Sequence, residues 1–331
     1  MDLISVIIPA FNAATRIKFT LESVIAQSYP NIEIILVNDA STDNTEELAR
    51  EILERSGKNF KLITHGLNKG ECASRNTGIK NSTGKFISFL DADDMLEKNF
   101  ISSLHEAISK NNCDITFSNV LERFIGKNFE RQWRFVKSVP YVASGEDFIL
   151  SKHVPAVWTC LYSRELIKKY NLLFHEGCTA GGDIEFITKA LCVAKKVTFV
   201  SDCLYIYIHH EEMGSVRDNN TSSKKILRYE HNTGANLRAS EFLARHGSKI
   251  LKTRAKKILI PQSIIRFFNL AAMKNDRPAF NSLLKDSEAL QNLKRALSLY
   301  TLLRKPEVFF KALAVLFTPS IYFYSRKILK K

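Results

Sequence analysis

Over its first 120 residues the chain alternates short apolar runs with helix-periodic stretches, and few folds accept that alternation. Leu3–Pro9 is a short, nearly continuous apolar run, the pattern of a strand buried on both faces. In Thr15–Gln27 the apolar residues recur at 17, 21, 24 and 25, one face of a helix. Ile32–Val37, Phe60–Thr64, Phe86–Leu90 and Ile115–Ser118 read as further strands. Helices are predicted from Thr42 or Asp43 to about Arg55, from about Gly70 to Lys80, and after the fourth strand to about Lys110. Strands separated by helices of about 10–15 residues build an α/β domain, a mostly parallel sheet with helices on both faces. Ligands of such sheets sit at the carboxyl ends of the strands. The polar clusters fall there: Ala10-Phe11-Asn12 after the first strand, Asn38-Asp39 after the second, Asp91–Asp94 after the fourth.

The pattern weakens from Leu121 to Val157. It then predicts a helix around Tyr162–Tyr170, a Gly-rich loop at Gly177–Gly182, and a helix opened by Asp183 and running to about Ala194. Val197–Val200 and Leu204–Ile208 read as strands, and beyond Ser222 only helical patterns remain. The division is therefore 1–220, with halves 1–120 and 121–220, followed by a basic, mainly helical region 221–331. Charge marks the same boundary. Ser222–Lys331 holds 23 Lys and Arg against 6 Asp and Glu, whereas the rest holds 25 against 28. So basic a segment points to a polyanionic partner. It contains no aromatic-and-basic RNA motif, so nucleic acid is not expected. The stretch Val308–Tyr324 is apolar but interrupted by Lys311 and Pro319, and short for a spanning helix. It reads as a helix lying at an anionic membrane surface, the alternative being a helix packed on the core.

The six cysteines form no C-x-x-C pair and several lie in apolar runs, the pattern of reduced core thiols. The N-terminus starts a strand at once, without the basic n-region of a signal peptide. The expected location is cytoplasmic and peripheral at the inner face of the cell membrane.

Asp91-x-Asp93 alone is a weak signal, but at a strand end with basic groups nearby in sequence it points to a bound metal, the alternative being an acidic turn. Two carboxylates on one side of a strand end repel each other unless a cation sits between them. Hard oxygen donors suit Mn²⁺ or Mg²⁺, which bridge to phosphate. Asp94 suits the turn or the start of the next helix. Asp39 can accept from an imide N–H such as that of uracil, or cap its loop. Arg75 can pair with a phosphate or brace Asp91 or Asp93. His209 and His210 are open to a diphosphate or metal role or to a loop role, and Trp158 to acceptor stacking or core packing. No G-x-G-x-x-G follows the first strand, which excludes a nicotinamide dehydrogenase of the usual kind.

In series, S-V-I-I-P-A-F-N (5–12), V-N-D-A-S-T-D (37–43), N-K-G…A-S-R-N (68–76) and F-L-D-A-D-D (89–94) resemble the family 2 glycosyltransferases of the GT-A fold. The resemblance continues through W-T-C-L-Y-S-R-E-L (158–166), F-H-E-G…G-G-D-I-E-F (174–186) and Y-I-Y-I-H-H (205–210), about the first 215 residues. It implies a GT-A, Rossmann-like sheet, a nucleotide-sugar donor, usually UDP-linked, and a divalent cation. Carried over by position, Pro9, Phe11 and Asn12 line the nucleoside pocket and Asp39 binds uracil. Arg75 lies near the base or diphosphate, Asp91 contacts ribose or donor sugar, and Asp93 ligates the metal. Asp183 matches the second acid of the family's E-D pair and is the implied catalytic base. Gly182 stands where the first acid is usual, with Glu185 as a fallback base. Asn38, Ala40 and Cys160 also depart from the family pattern.

The function this implies is inverting, metal-dependent transfer from a nucleotide-sugar to a hydroxyl of a glycan or lipid-linked acceptor, in surface polysaccharide or lipo-oligosaccharide biosynthesis. The alternatives are a non-catalytic nucleotide-sugar-binding or partner-recruiting protein, and a nucleotidyltransferase.

Overall fold

The structure is a computed structural model, and it describes residues 1–127, 129–135, 141–210 and 222–328. Strands β1 (Ile4–Ala10) and β2 (Ile32–Asn38) are buried at every position. A strand buried on both faces needs helices on both. These are α1 (Ile17–Ile25), α2 (Thr45–Ser56) and α3 (Glu71–Asn81), which alternate with β1, β2, β3 (Asn59–Thr64) and β4 (Phe86–Phe89). The chain continues through β5 (Met95–Leu96), α4 (Phe100–Asn111), β6 (Ile115–Phe124), β7 (Phe129–Trp133), β8 (Val142–Ala143) and α5 (Gly145–Ser151). Then follow β9 (Cys160–Ser163), α6 (Arg164–Lys169), α7 (Gly182–Val193) and β10 (Val197–His209).

The sheet order is β3-β2-β1-β4-β9-β6-β10-β5, with β7 on β6 and β8 on β10. The β3-β2-β1-β4 half is parallel, as is the β6–β10 pair. Strand β9 runs antiparallel between β4 and β6. The helix expected around Tyr162–Tyr170 therefore starts only at Arg164. Leu161 and Tyr162 have no exposure, and burial between two strands overrides the helical periodicity there. The two strands read at 197–200 and 204–208 are one, β10. Its register against β6 shifts between Val200 and Cys203 and again before Tyr205, and a bulge of this kind breaks the apolar alternation. The fourth and fifth strands also differ at their ends, since β4 stops at Phe89 and β6 runs on to Phe124.

At the amino-terminal end of the sheet the buried Glu33 ties β2 to β1 and to the start of β4. It accepts from Ser5 Oγ at 2.5 Å, Thr83 N at 2.6 Å, Thr83 Oγ1 at 2.9 Å and Gly84 N at 2.9 Å. Burial works to raise its pKa, but these hydrogen bonds outweigh it and hold the carboxyl below its usual range.

The chain divides into two units. One holds Met1–Cys178 and the stretch from Phe186 through β10; the other holds Thr179–Glu185 and everything from Ser222 on. The second unit is helical, as its sequence predicts: α8 (Ser222–His246), α9 (Lys249–Arg254), a π turn at Ala255–Leu259, α10 (Ile260–Lys274), α11 (Arg277–Lys285), α12 (Ser287–Ala296), α13 (Leu299–Arg304), α14 (Pro306–Phe317) and α15 (Pro319–Ile328). Short polar residues start several of these helices. Asp276 accepts from Ala279 N at 2.9 Å, Asp286 from Glu288 N and Ala289 N at 2.9 and 3.0 Å. The core gathers Phe268, Phe280, Leu293, Ala312 and Phe323, with Phe280 edge-on to Phe268 and to Phe323, each at 5.0 Å. Among the described residues no single helix is long and apolar enough to cross a membrane.

Two side chains hold the Thr179–Glu185 segment to α8. Arg238 donates to Glu185 Oε2 from Nε at 2.9 Å and approaches it with Nη2 at 2.8 Å. His231 Nδ1 accepts from Thr179 N at 2.9 Å. Gly181 has φ +83° and a side chain there would meet Ala235 Cβ at 2.8 Å, so both conformation and packing demand glycine. Glu185, the fallback base of the sequence reading, is the carboxylate that Arg238 holds, and it is buried.

Candidate active site

The carboxyl ends of β1, β2 and β4 open onto a cleft of about 490 Å³ in the first unit. Pro9, Ala10 and Phe11 line it from β1, Asp39 from β2, and Asp91, Ala92 and Asp93 from the loop after β4. The start of α3 adds Gly70, Glu71 and Ser74, and β10 adds Tyr207. Parallel strands that end together put these distant segments on one rim.

Asn12, expected in the pocket, is not among the lining residues; it laces two loops together. With φ at 49°, its side-chain oxygen accepts from Thr42 N at 2.8 Å, and its own N–H donates to Ser41 Oγ at 3.0 Å. Asn and Asp tolerate that backbone region through such local hydrogen bonds. Asp43 accepts from Thr45 N at 3.1 Å at the start of α2.

Asp39 is buried at the cleft floor. Its Oδ1 accepts from Lys69 N at 2.9 Å and meets His65 Nδ1 at 2.7 Å, and its Oδ2 accepts from Gly70 N at 2.7 Å. Burial pushes the carboxyl's pKa up, but the hydrogen bonds from His65, Lys69 and Gly70 outweigh it and leave it below the usual range. A carboxylate has about four acceptor positions, so three bonds leave one for a donor in the cleft. His65 was not singled out in the sequence; only its place one residue beyond β3 hints at the rim. Its Nε2 lies 3.0 Å from Thr77 Oγ1, so the ring joins Asp39 to α3.

Arg75 has no solvent exposure. Its Nη2 donates to Asp91 Oδ1 at 2.7 Å and also pairs with Glu71, and its guanidinium lies 5.2 Å from the Phe174 ring centre. The ion pair with Asp91 is one of the two roles open to it in the sequence. Arg75 does not line the cleft; it fixes the carboxylate that does.

The three acids after β4 have different surroundings. Asp91 and Asp93 are partly exposed in the cleft. Asp94 is buried and does not start a helix, because α4 begins at Phe100. It accepts from Tyr205 Oη at 2.8 Å and from Ile208 N at 2.8 Å, while its carbonyl accepts from Thr20 Oγ1 at 2.8 Å. Burial first, then the charges of Asp91 and Asp93, push its carboxyl well above the usual range. Asp94 is the anchor of the acidic loop, a role the sequence did not reveal.

His209 lies 3.0 Å from Glu122 Oε1 and stacks on Phe124 at 4.1 Å, and Arg131 Nε donates to the other Glu122 oxygen at 2.5 Å. His210 Nε2 comes within 3.4 Å of the Asp93 carbonyl. Trp158 is buried against Tyr205 and Tyr207, with ring centres 4.3 and 5.7 Å away, so it packs in the core. Asp183 belongs to the second unit, partly exposed in the first turn of α7.

Among the described residues no three His, Cys, Asp or Glu side chains gather into a metal cage. Asp93 nevertheless fits a divalent cation. Mg²⁺ and Mn²⁺ are commonly held by one or two carboxylates and complete their shell with water and substrate phosphate.

The sheet has the GT-A fold. The structure of Staphylococcus aureus TarS 1-349 in complex with UDP-GlcNAc superposes with a TM-score of 0.68 over 99% of this chain and 89% of that one, at 19% identity. Residues 5–171 match the model of glycosyl transferase family 2, and the chain belongs to that family. It is 30% identical over 213 residues to the uncharacterized glycosyltransferase EpsJ of Bacillus subtilis, covering 62% of this chain and 61% of that one. It is 37% identical over 117 residues to the UDP-Glc:alpha-D-GlcNAc-diphosphoundecaprenol beta-1,3-glucosyltransferase WfgD of Escherichia coli, 35% of this chain and 45% of that one. The chain thus spans less than two thirds of the length of these two sequence relatives.

Proposed function

We propose that the protein transfers a sugar, with inversion, from a UDP-linked donor to a hydroxyl of a glycan or lipid-linked acceptor in surface polysaccharide biosynthesis. The observation that carries this reading is the cleft that joins Asp39, Asp91 and Asp93 at the ends of β2 and β4. The UDP-GlcNAc in the TarS complex and the UDP-Glc donor and lipid diphosphate acceptor in the printed name of WfgD support it. We assign the same enzyme to the inner face of the cell membrane, where lipid-linked acceptors are held.

On this reading Asp39 offers its remaining acceptor position to the uracil imide N–H, and Pro9 and Phe11 wall the nucleoside. Asp91, held by Arg75, takes ribose or sugar hydroxyls. Asp93 holds the divalent cation, which when bound neutralises charge on the leaving diphosphate. Asp183 accepts the proton of the acceptor hydroxyl as that oxygen attacks the anomeric carbon and the bond to UDP breaks.

A panel of nucleotide-sugars incubated with Mn²⁺ and lipid-diphosphate acceptors tests this. Release of UDP with a glycosylated product is expected. Release of inorganic diphosphate would mean nucleotidyl transfer, and binding of every donor without turnover would mean a non-catalytic domain.

A further inference from the structure

Helix α14 is apolar on two sides. Val308, Ala312 and Val315 face the core of the second unit. Phe310 and Phe317 stand 58% and 70% exposed, with Leu313 also exposed. Positions 310, 313 and 317 fall within an arc of about 60° at 100° per residue, so they form one outward stripe. The neighbouring helices repeat the arrangement. In α13, Leu299 and the 73% exposed Leu303 are four apart; in α15, Ile321 and Tyr324 are three apart and exposed while Tyr322 and Phe323 are buried. Exposed apolar residues scattered singly are ordinary on a soluble protein, but seven large ones between residues 299 and 324 are not.

Charge selects the occupant. From Leu299 to Lys331 there are 7 Lys and Arg, and Glu307 is the lone acid. Arg304 is exposed next to Leu303 at the end of α13, and Lys311 follows Phe310 on α14. Basic residues beside exposed Phe, Tyr and Leu are what an anionic bilayer interface binds, the rings entering the headgroup layer and the cations meeting its charge. A second copy of this chain would bring like charge to like charge across a two-fold axis. Length argues against crossing. Helix α14 has 12 residues, about 18 Å at 1.5 Å per residue, and although α14 and α15 together have the length and composition of a span, they are bent by 117° at the break between them. A hydrocarbon core is about 30 Å thick. Short helices with outward apolar stripes lie in an interface.

We infer that α13, α14 and α15 form a docking face for an anionic lipid surface, entered by Leu303, Phe310, Phe317, Ile321 and Tyr324. This deepens the membrane location assigned above and needs nothing from the transfer chemistry. The test is sedimentation of the full chain with vesicles of phosphatidylcholine alone or with phosphatidylglycerol. The assay contains neither donor nor acceptor, so a negative result leaves the transferase reading standing.

The chain is expected to sediment with phosphatidylglycerol vesicles at least about tenfold better than with phosphatidylcholine, and less as salt screens the charge. Phe310→Asp with Phe317→Asp lowers this binding at least about tenfold without moving the thermal unfolding midpoint. If that pair disturbs folding, Leu303→Asp gives the second reading. Equal sedimentation with both vesicle types, or variants that fold and sediment like the parent, overturns the proposal. So does a dimer in light scattering that the same substitutions dissolve, which would make the face a contact between copies.

Discussion

Tyr205 donates its phenolic hydrogen to Asp94 at 2.8 Å, across 111 residues of chain, and the backbone of Ile208 donates to the other carboxylate oxygen at 2.8 Å. Strand β10 therefore holds the acidic loop after β4 in place, and Asp93 is presented by it. Tyr205→Phe removes this bond and the longer one, 3.4 Å, that the same hydroxyl accepts from Asp91 N, and it leaves a buried Asp94 oxygen without that donor. A loss of about 1–3 kcal/mol in stability is expected, with a higher KM for the donor. Urea unfolding and donor titration check this. An unchanged KM would mean that Asp93 keeps its place without β10.

Asp183→Asn is expected to lower kcat by about 10²–10⁴ while UDP binding is kept, the loss typical of a missing general base. Glu185→Gln separates the two acids of α7. Its pairing with Arg238 makes it a structural residue, so it should cost stability and keep most of the transfer rate. Radiolabelled transfer assays on both variants decide it. A dead Glu185→Gln enzyme that folds normally would move the base assignment.

Chelation tests the cation. Removal of divalent ions by EDTA is expected to stop transfer and added Mn²⁺ to restore it. On the proposed reading Asp93 is one of few protein ligands, so Asp93→Ala should raise the Mn²⁺ concentration needed for half activity by at least about tenfold. Full activity in EDTA would remove Asp93 from metal binding.

Much of this is legible in the sequence. Strands β1, β2 and β4 are buried on both faces, so their sequences are mostly apolar and the polar residues at their ends stand out. Asp39, Asp91 and Asp93 were found at those ends for that reason. What stayed hidden depends on partners far along the chain. Asp94 looks like another turn acid until Tyr205 is beside it, and Glu185 looks like a spare base until Arg238, 53 residues on, is seen to hold it. Strand β9 was hidden by its brevity; four residues that run into a helical-looking stretch carry no period of their own.

The buried Glu33 gives a pH test remote from the cleft. Its folded pKa lies below the ordinary 4.5 because hydrogen bonds from Ser5, Thr83 and Gly84 outweigh burial. Unfolding therefore takes up a proton near and below pH 4.5, so the stability Glu33 contributes is full above that pH and is lost as pH falls through the folded value. Glu33→Gln is expected to lower stability at neutral pH by about 1–3 kcal/mol and to flatten the acid limb of a stability–pH curve. Parallel acid limbs for parent and variant would contradict it.

The stretch that carries Asp183 is fastened to α8 by Glu185–Arg238 and Thr179–His231. The family match ends at residue 171, before that stretch begins. An exchange of carboxyl-terminal regions between relatives, in the laboratory or in a genome, therefore has to move Thr179–Glu185 together with α8. A crossover placed between them would inherit an acid without its clamp, and a protease that cuts α8 would release the segment that carries Asp183 without cutting the strands that line the cleft.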